Sequence, residues 1–473
     1  MAMTRKEAEA IYDAGKEAVV RVLLDFDRRI TELERRLNQN SQNSSQPPSS
    51  DGYQKLPPQS QRKKTGRRSG GQAGHTGSTL KIVAEPDRVV EHWPTRCKGC
   101  GEALSDLVEA EYEKRQVYDL PPMRMEVTEH RARKVCCRKC KQTTRGEFPS
   151  EIHPGAQYGE RVRALAVYLQ NHQLLPLDRT AEMFRDVWKC ELSEGTLVNW
   201  VRRVAAKMMP GVKQIEQGVK SAAVVHVDET GMRGPHGLLW LHSASTPLLT
   251  WYQVHKQRGG AALTEIGVVP ECKGVVVHDS LPTYLKQTCQ HQLCNAHILR
   301  ELTAAEEMLP AKYTWPKRLR TLLCTMKQET DLARAAGRTE LDPERRRCLV
   351  RRYDRLLREA VFPESPPHTS TRKSGRRRRT YPENLVLRLK THKHSVLRFL
   401  HQLSVPFDNN LVERDLRMMK LRQKISGCFR SEQGAHDFAV VRSFLSTVRK
   451  QGHHSFDAII AIVSGRGFSL RMA

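Results

Sequence analysis

Three acidic residues stand in sequence contexts that predict a shared metal site. Asp228 follows the apolar run 222–227, and Asp279 comes just after a second, β-branched run at 275–277. Glu413 lies just inside a segment with the pattern of a helix start. Carboxylates from two strand ends and one helix can hold a pair of divalent metal ions. Two-metal sites of this kind cut and rejoin the phosphodiester backbone.

Neighbouring polar residues fit this site less well than the three acids do. Asp408 or Asn409 would cap the helix that carries Glu413, because both residue types accept hydrogen bonds from the first helical N–H groups. Asp415 is two residues beyond Glu413 and points to nearly the opposite helix face. Glu229 follows the first aspartate directly and would face away from it on a strand. Glu413 is therefore the best candidate for the third acid.

The segment around the two aspartates changes between strand-like and helix-like patterns. The expected elements are strands at 222–227, 238–243, 248–254 and 275–277, with a short helix at 260–267. Three meandering strands, a helix and a fourth strand match the opening of a ribonuclease-H-like α/β fold. In that topology the first and fourth strands are neighbours. Asp228 and Asp279 would then lie side by side.

Four cysteines have the spacing of metal ligands in two short turns. They are Cys97 and Cys100 in the first turn, and Cys137 and Cys140 in the second. Each pair can present two thiolates to one tetrahedral zinc ion. A small β domain with little hydrophobic core needs such a bound metal ion for its stability. At the second turn, Cys136 could pair with Cys140 in place of Cys137. The alternative to a zinc site is that the cysteines are buried free thiols. Four thiolates leave no open position, so the zinc would be structural.

The chain is strongly basic, with 79 lysines and arginines against 52 aspartates and glutamates in 473 residues, a net charge of +27. This excess predicts a polyanionic partner. We expect double-stranded DNA and no membrane, because no apolar run approaches the length of a spanning helix. The polar N-terminus shows no signal peptide. We therefore predict a cytoplasmic protein whose 12 cysteines form no disulfide set.

Basic residues in three regions are candidates for contacts with DNA. The first group lies in a linker rich in Asn, Ser, Pro and Gly, where a basic arm could follow phosphates or enter a minor groove. The alternative for this group is a solvated tether. An arginine-rich loop at 372–379 and the helix of Glu413 supply the others. The candidates are Arg62, Lys63, Lys64, Arg67, Arg68, Arg376, Arg377, Arg378, Arg379, Arg414 and Arg417.

Three further features leave alternatives open. A heptad seam within residues 5–38 predicts a self-associating coiled coil or an amphipathic helix packed on its own domain. Its members are Val19, Leu23, Phe26, Ile30, Leu33 and Leu37. Residues 158–208, with Ser193 as an N-cap, predict a helix-turn-helix on DNA or an ordinary helical spacer. Cys294 and His297 could bind a metal or simply pack, and two ligands alone favour packing.

These patterns together predict a multidomain α+β protein with a ribonuclease-H-like α/β catalytic core. The expected parts are an N-terminal helix at 1–38, a disordered basic linker at 39–79, a small β zinc-binding domain at 80–150, a helical DNA-binding region at 151–215, the first part of the core at 216–295, a helical insertion with a basic loop at 296–403, and the last part of the core with a C-terminal tail at 404–473.

Several motifs in combination resemble one family. They are the segments 43–51 and 70–77, the two CxxC turns, Asp228-Glu229-Thr230-Gly231, Cys294-Asn295-Ala296-His297 and Pro406-Phe407-Asp408-Asn409-Asn410-x2-Glu413-Arg414. With these motifs, nearly the whole chain resembles the large DDE-transposase subunit of bacterial insertion sequences of the insertion sequence sixty-six family. The resemblance implies that Asp228, Asp279 and Glu413 are the catalytic triad and that the four cysteines of the two turns bind zinc. We expect a nucleoid-associated protein. The family often works with small accessory proteins of the same element, and the sequence leaves open whether this chain needs them.

The predicted function is that of a DNA transposase. It would bind the ends of a mobile element, hydrolyse the phosphodiester at their 3′ ends and join them to target DNA, using two Mg²⁺ ions or Mn²⁺ in their place. Two element ends must be joined, which predicts a homodimer or a larger assembly. The alternatives are a non-catalytic DNA-binding protein and a structure-specific nuclease of the same fold. The presence of all three acids argues against the first, and the family resemblance argues against the second.

Overall fold

Two helices form the N-terminal part of the chain. The residues that the computed structural model describes are 4–37, 74, 80–104, 112–363 and 379–472. Helices α1 (Arg5–Asp13) and α2 (Lys16–Leu37) replace the single helix expected at 5–38. The break occurs at Gly15, whose φ of +97° is a conformation that glycine adopts at little cost. The heptad seam of α2 faces solvent at Leu23, Phe26, Ile30, Leu33 and Leu37.

The cysteine-containing segment has little regular structure. Its described strands are β1 (Lys134–Cys136) and β2 (Thr143–Arg145), which pair antiparallel. The alternating sequences at 81–84 and 125–130 predict short strands in this domain. That prediction is wrong, because both segments are irregular and largely exposed. The side-chain amide of Gln116 takes the place of a partner strand at Val83. Its oxygen accepts the N–H of Val83, and its nitrogen donates to the carbonyl of Val83, both at 2.8 Å. An alternating sequence forms a strand only where a second backbone edge is available to pair with it.

Helical elements connect this segment to the central sheet. They are α3 (Glu160–Val167), a π-helical turn at Tyr168–His172, α4 (Leu177–Trp188) and α5 (Glu194–Ser221). The hydroxyl of Ser193 accepts the N–H of Thr196 at 3.1 Å, so the expected N-cap of α5 is confirmed. Helix α5 buries a stripe spaced three or four residues apart, which includes Leu197, Trp200, Val204, Met208, Val212, Ile215 and Val219. This stripe shares one core with the sheet.

A five-stranded sheet lies at the centre of the described residues. Its strands are β3 (Val224–Gly234), β4 (Gly237–Ser245), β5 (Thr250–His255), β6 (Val275–His278) and β7 (Gln290–Leu293). Short helices α6 (Gly260–Ile266) and α7 (Pro282–Leu285) precede and follow β6. The order is β5-β4-β3-β6-β7. The first three strands are antiparallel, whereas β6 pairs with β3 and β7 pairs with β6 in parallel.

Two strands differ from the prediction. Strand β3 continues through Asp228 to Gly234, because it forms a long hairpin with β4. Asp228 therefore lies within a strand and not at its end. The sequence does not predict β7, since its residues Gln-His-Gln-Leu lack an apolar run. Tertiary contacts form it: β6 supplies the backbone edge, and the buried Gln292 side chain accepts the N–H of Phe399 at 2.9 Å.

Five helices among the described residues after β7 bury a separate core. They are α8 (Asn295–Met308), α9 (Trp315–Ala335), α10 (Pro343–Arg358), α11 (Tyr381–Thr391) and α12 (Lys393–His401). Leu319, Tyr353 and Leu397 are fully buried within it. The Tyr353 hydroxyl donates to the carbonyl of Leu389 at 3.1 Å, which satisfies the one polar atom of that buried ring.

The last helices return to the sheet. They are α13 (Asn410–Ser426), α14 (Glu432–Lys450) and α15 (Ser455–Val463). Strand β5 is an edge strand, and α14 covers it. The hydroxyls of Ser443 and Thr447 accept the N–H groups of Tyr252 and Thr250 at 2.9 and 3.0 Å. The edge is thereby protected from pairing with another chain. None of the described helices combines the length and apolar character needed to cross a bilayer.

Gly274 permits the close approach of β6 to β3. A Cβ atom at this position would lie 2.2 Å from the carbonyl oxygen of Ala222 and 2.4 Å from that of Ala223. These backbone atoms lead into β3 and cannot shift without disturbing the strand pairing. We predict that Gly274→Ala lowers the free energy of unfolding in urea by about 2 kcal/mol or more. Gly259→Ala is the control, because nothing lies within 4 Å of its Cβ position. Equal stability of the two variants would contradict the prediction.

Candidate active site

Asp228 and Asp279 lie on neighbouring parallel strands. In the pairing of β3 with β6, His226 stands opposite Val277. Each aspartate lies two residues beyond its member of this residue pair, and the two strands run in the same direction. Both side chains therefore lie at the same end of the paired strands. Both residues are half-buried. The adjacency expected from the strand order is therefore present in the sheet.

Negative charge accumulates around these two carboxylates. Burial, followed by the charges of Glu229 and Asp279, raises the pKa of Asp228 well above its usual value. Burial and the charge of Glu229 raise the pKa of Asp279 to about 6. Asp228 accepts one backbone N–H at 2.9 Å, and Asp279 accepts that of Leu281 at 3.1 Å. These hydrogen bonds, together with the charge of Arg258 on Asp279, lower the two pKa values without cancelling the rise.

Glu229 is the carboxylate in this region that has full partners. Its side chain has no exposed surface and accepts hydrogen bonds from Arg258 Nε at 2.7 Å and from the Tyr284 hydroxyl at 2.5 Å. The Arg258 guanidinium also lies 5.1 Å from the centre of the Trp240 ring. The sequence predicts that Glu229 turns away from Asp228, and these partners surround it. No local signal predicts Arg258 or Tyr284, because the contacts join distant segments.

Asn409 ties α13 to β3. It is 1% exposed, and its side-chain nitrogen donates to the carbonyl of Val227 at 2.9 Å. Its side-chain oxygen lies 2.9 Å from Nδ1 of His226. The N-cap position of α13 is Asn409, and the helix has no side-chain capping hydrogen bond. The carboxylate of the preceding Asp408 accepts the N–H of Asn410 at 3.1 Å. The side chain of Asn409 makes no cap, because it bridges the start of α13 to the strand that carries the first aspartate.

Glu413 lies half-buried in the first turn of α13. Burial raises the pKa of Glu413, and the nearby charges of Arg300 and Arg417 lower it. The Glu413 charge also raises the pKa of Asp228. Glu413 Oε1 is buried without a hydrogen-bond partner, 4.0 Å from the equally unpartnered Nδ1 of His297. A buried oxygen without a partner is a ligand atom available to a cation.

One tight group of possible metal ligands occurs among the described residues. It consists of Cys294, His297 and Glu413, whose ligand atoms all lie within 4.8 Å of one another. Asp228, Asp279 and Glu413 do not form a second group of this kind in the described part of the chain. Ligands that serve two ions span a wider distance, since such ions lie about 3.5–4 Å apart. The ligand atoms of the three carboxylates therefore do not all lie within 4.8 Å of one another, unlike those of Cys294, His297 and Glu413.

Asp415 belongs to a different network, on another side of α13. Its carboxylate accepts hydrogen bonds from the hydroxyls of Ser245 and Thr250 at 2.7 and 3.2 Å, and pairs with Lys450 Nζ at 2.7 Å. These contacts anchor α13 to β4, β5 and α14. The carboxylate of Asp415 is therefore hydrogen-bonded within the protein and has a structural role. This agrees with its predicted position away from the helix face of Glu413.

The two CxxC turns have the same backbone geometry. In the first turn, the N–H of Cys97 donates to the backbone carbonyl of Glu102 at 2.8 Å. The N–H of Gly101 donates to the backbone carbonyl of Cys97 at 2.9 Å. The same two bonds, at the same lengths, recur between Cys137 and Gln142 and between Lys141 and Cys137. Gly101 and Lys141 also share a positive φ, of 77° and 61°. The two turns are therefore equivalent structures.

The surroundings of the cysteines favour thiolates. The backbone N–H groups of Cys100 and Gly99 lower the pKa of Cys97, and the equivalent groups of the second turn lower that of Cys137. Cys136 instead directs its thiol at the carbonyl of Lys141, 3.2 Å away. Cys137 therefore takes the position in the turn. The described residues form the two turns as separate pairs, with no three of their sulfur atoms within 4.8 Å of one another.

Three of the basic residues expected to contact DNA are described, and all three are exposed. Arg414 and Arg417 lie beside Glu413 on α13, and Arg379 precedes α11. The positive charge of Arg417 lowers the pKa of the Glu413 carboxyl. The other candidates lie outside the described residues: Arg62, Lys63, Lys64, Arg67, Arg68, Arg376, Arg377 and Arg378.

The crowding around Asp279 predicts a gain of stability when its charge is removed. The carboxyl has a pKa of about 6 in the folded protein and an ordinary value of 3.8. As the pH rises through this window the unfolded chain loses its proton first, so the folded state loses stability. We expect the free energy of unfolding of Asp279→Asn to exceed that of the wild type by roughly 1–3 kcal/mol at about pH 7. The measurement is urea unfolding across pH without divalent ions.

The difference between Asp279→Asn and the wild type should vanish below the pKa of the unfolded carboxyl, where both forms are neutral. Asp186→Asn, which removes an exposed carboxylate on α4, is the control and should show no such gain. A wild type more stable than Asp279→Asn at neutral pH would contradict the prediction.

Comparisons with known proteins match three parts of the chain. The sequence model of the transposase IS66 family matches residues 155–437, which include all three carboxylates. A model described as the zinc-finger binding domain of transposase IS66 matches residues 94–141, which include both CxxC turns. A family of unknown function matches residues 4–81.

A curated relative adds a shorter match. The uncharacterized protein y4hP of Sinorhizobium fredii is 31% identical over 150 residues, which cover 31% of this chain and 26% of that protein. The match thus spans about a quarter of the length of this relative. The first family model, by contrast, spans more than half of the present chain. The resemblance inferred from the motifs is confirmed, and the chain belongs to the IS66 transposase family.

Proposed function

We propose that this protein is a DNA transposase that cuts the 3′ ends of a mobile element and joins them to target DNA, with Asp228, Asp279 and Glu413 as its catalytic acids. The observation that carries the proposal is the parallel pairing of β3 and β6, which leaves two crowded carboxylates at one end of the pair. Membership of the IS66 transposase family supports the substrate and the reaction.

The strand order supports a ribonuclease-H-like core. Three antiparallel strands are followed by two parallel ones in the order β5-β4-β3-β6-β7. This is the arrangement in which the first and fourth strands of the core are neighbours. The first acid then comes from the first of these strands, the second from the end of the fourth, and the third from a later helix. In this protein the later helix is α13, and Asn409 bonds it to the first strand.

The three acids fit divalent metal ions of the magnesium class. They offer only oxygen ligands, which Mg²⁺ and Mn²⁺ prefer. Burial raises the pKa of all three carboxyls, and the charges of Asp279 and Glu413 raise that of Asp228 further. Glu413 Oε1 has no hydrogen-bond partner in the protein. When bound, two such ions activate a water and stabilise the leaving 3′ oxygen. The carboxylates would hold the ions, and the side chains need not form a covalent bond to DNA.

The remaining residues would position the acids and the substrate. Asn409 keeps Glu413 at the strand that carries Asp228, because its amide bridges the two elements. The exposed Arg414 and Arg417 beside the site would contact phosphates. The α4–α5 pair and the basic residues outside the described part of the chain would add further DNA contacts. An assembly of two or more chains would hold two element ends, and the exposed seam of α2 offers it a surface.

The triad is tested by separating DNA cutting from DNA binding. The assay uses labelled DNA from the flanks of the gene, with Mg²⁺ or Mn²⁺, and follows both cut and joined products. We expect Asp228→Asn, Asp279→Asn and Glu413→Gln each to lower the cleavage rate at least about a thousandfold, or about 4 kcal/mol of barrier. DNA affinity should stay close to the wild-type value, since it comes mainly from lysine and arginine at phosphates.

Glu265→Gln, an exposed carboxylate change on α6, is the matched control and should cut and join like the wild type. Cutting that persists in all three triad variants would overturn the proposal. Binding without cutting in the wild type, even with the element's other products added, would identify a DNA-binding protein without the reaction. Cutting at any sequence without joining would identify a nuclease.

We further propose that Cys97, Cys100, Cys137 and Cys140 bind one structural zinc ion. Each turn directs backbone N–H groups at its first sulfur, which favours the thiolate. Tetrahedral coordination by four thiolates would bring the two turns together around one ion. The match to the zinc-finger binding domain of the family supports this donor set.

The zinc proposal predicts a difference between two adjacent cysteines. Cys137→Ser should lose one zinc ion per chain, because it removes a ligand from the second turn. Cys136→Ser should keep that ion, because this thiol faces the carbonyl of Lys141 and lies outside the turn. The metal content of the purified protein is the measurement. Loss of zinc from Cys136→Ser with retention in Cys137→Ser would reverse the assignment.

A further inference from the structure

Cys294, His297 and Glu413 meet where two helices begin. Cys294 is the residue between β7 and α8, His297 lies in the first turn of α8, and Glu413 lies in the first turn of α13. The N–H of Asn295 donates to the carbonyl of Phe407 at 3.0 Å, which holds the start of α8 against the segment that leads into α13. The tertiary fold therefore brings together three ligand atoms within 4.8 Å of one another.

Two polar atoms of this cluster have no partner in the protein. His297 Nδ1 and Glu413 Oε1 are 4.0 Å apart, both are buried, and neither makes a hydrogen bond. This separation is too long for a direct hydrogen bond. A buried polar group without a partner costs about 1–3 kcal/mol. The cost is removed if an ion between the two atoms accepts a lone pair from each.

The sulfur of Cys294 completes the cluster. The residue is 1% exposed, and its sulfur accepts the backbone N–H of Asn409 at 3.2 Å. Burial, followed by the negative charge of Glu413, raises the pKa of this thiol to about 12. The backbone N–H groups of His297 and Asn409 act in the opposite direction. The cluster thus places a sulfur, an imidazole nitrogen and a carboxylate oxygen around one point, and a metal ion bound there would replace the thiol proton.

We propose that Cys294, His297 and Glu413 bind a divalent ion of the zinc class, at a site separate from the CxxC turns. Thiolate, imidazole and carboxylate are the ligands that zinc takes in proteins, whereas Mg²⁺ prefers oxygen alone. A thiolate and a carboxylate together balance the two charges of the ion. Three protein ligands leave the fourth position open, as in sites where zinc meets water or substrate.

The site would be connected to the proposed catalytic acids through Glu413. A carboxylate has two oxygens and can serve two ions, so Glu413 can hold zinc on one side and contribute to the magnesium site on the other. Asn409 touches both regions, since its N–H reaches the sulfur of Cys294 and its side chain bonds β3. This connection rests on the proposed function, whereas zinc binding itself does not.

The test counts the zinc held by the full-length chain. Cys294→Ser keeps an acceptor for the N–H of Asn409 but removes the thiolate, and His297→Gln removes the imidazole. Each variant should hold one zinc ion fewer per chain than the wild type and bind zinc at this site at least about 100-fold more weakly. Cys348→Ser changes an exposed cysteine on α10 and should keep the wild-type count.

Cobalt distinguishes this site from the CxxC turns. In a Cys137→Ser background, added Co²⁺ should give the visible absorption of a tetrahedral site with a single thiolate. Cys294→Ser in the same background should abolish that absorption. A thermal melt of each variant shows whether it is folded, and His297→Gln supplies the result if Cys294→Ser is not. An unchanged zinc count and an unchanged cobalt spectrum would overturn the inference. Both readouts are independent of DNA cleavage, so this failure would differ from a failure of the proposed reaction.

Discussion

The parallel contact between β3 and β6 is the constraint on which the rest of the site depends. It sets Asp228 beside Asp279, and it requires a glycine at 274, where any side chain would meet the backbone of Ala222 and Ala223. Once the two strands are in contact, the negative charges of Asp228 and Asp279, just beyond the paired residues, cannot separate. The neighbouring structure must then supply partners for those charges or leave them for a bound ion.

Both outcomes occur within a few residues. Glu229 is completely buried and is satisfied by Arg258 and Tyr284, which makes it a stable part of the fold. Asp228 and Asp279 have one backbone hydrogen bond each and a raised pKa, which is a poor arrangement for stability and a good one for holding cations. The contrast between paired and unpaired carboxylates separates the structural acid Glu229 from the proposed catalytic acids more clearly than residue type does.

The third acid comes from a helix whose position is fixed at several points. Asn409 bonds the start of α13 to β3, and the network of Asp415 holds the same helix to β4, β5 and α14. In the described part of the chain, five helices with a core of their own lie between the sheet and α13, and the start of α13 still contacts β3. Their first helix, α8, brings Cys294 and His297 to Glu413, so the separate core also contributes side chains next to the site.

The sequence alone determined the local features of this protein. Apolar runs marked strands β3 to β6, cap chemistry marked Ser193, and the paired CxxC spacing marked both cysteine turns, because each of these signals lies within a few neighbouring residues. Only the tertiary structure decided the length of β3, the existence of β7, the irregular course of 81–84 and 125–130, and the roles of Asn409, Arg258 and Tyr284. Each of these depends on a contact between segments far apart in the chain, and no local pattern of residue types records such a contact.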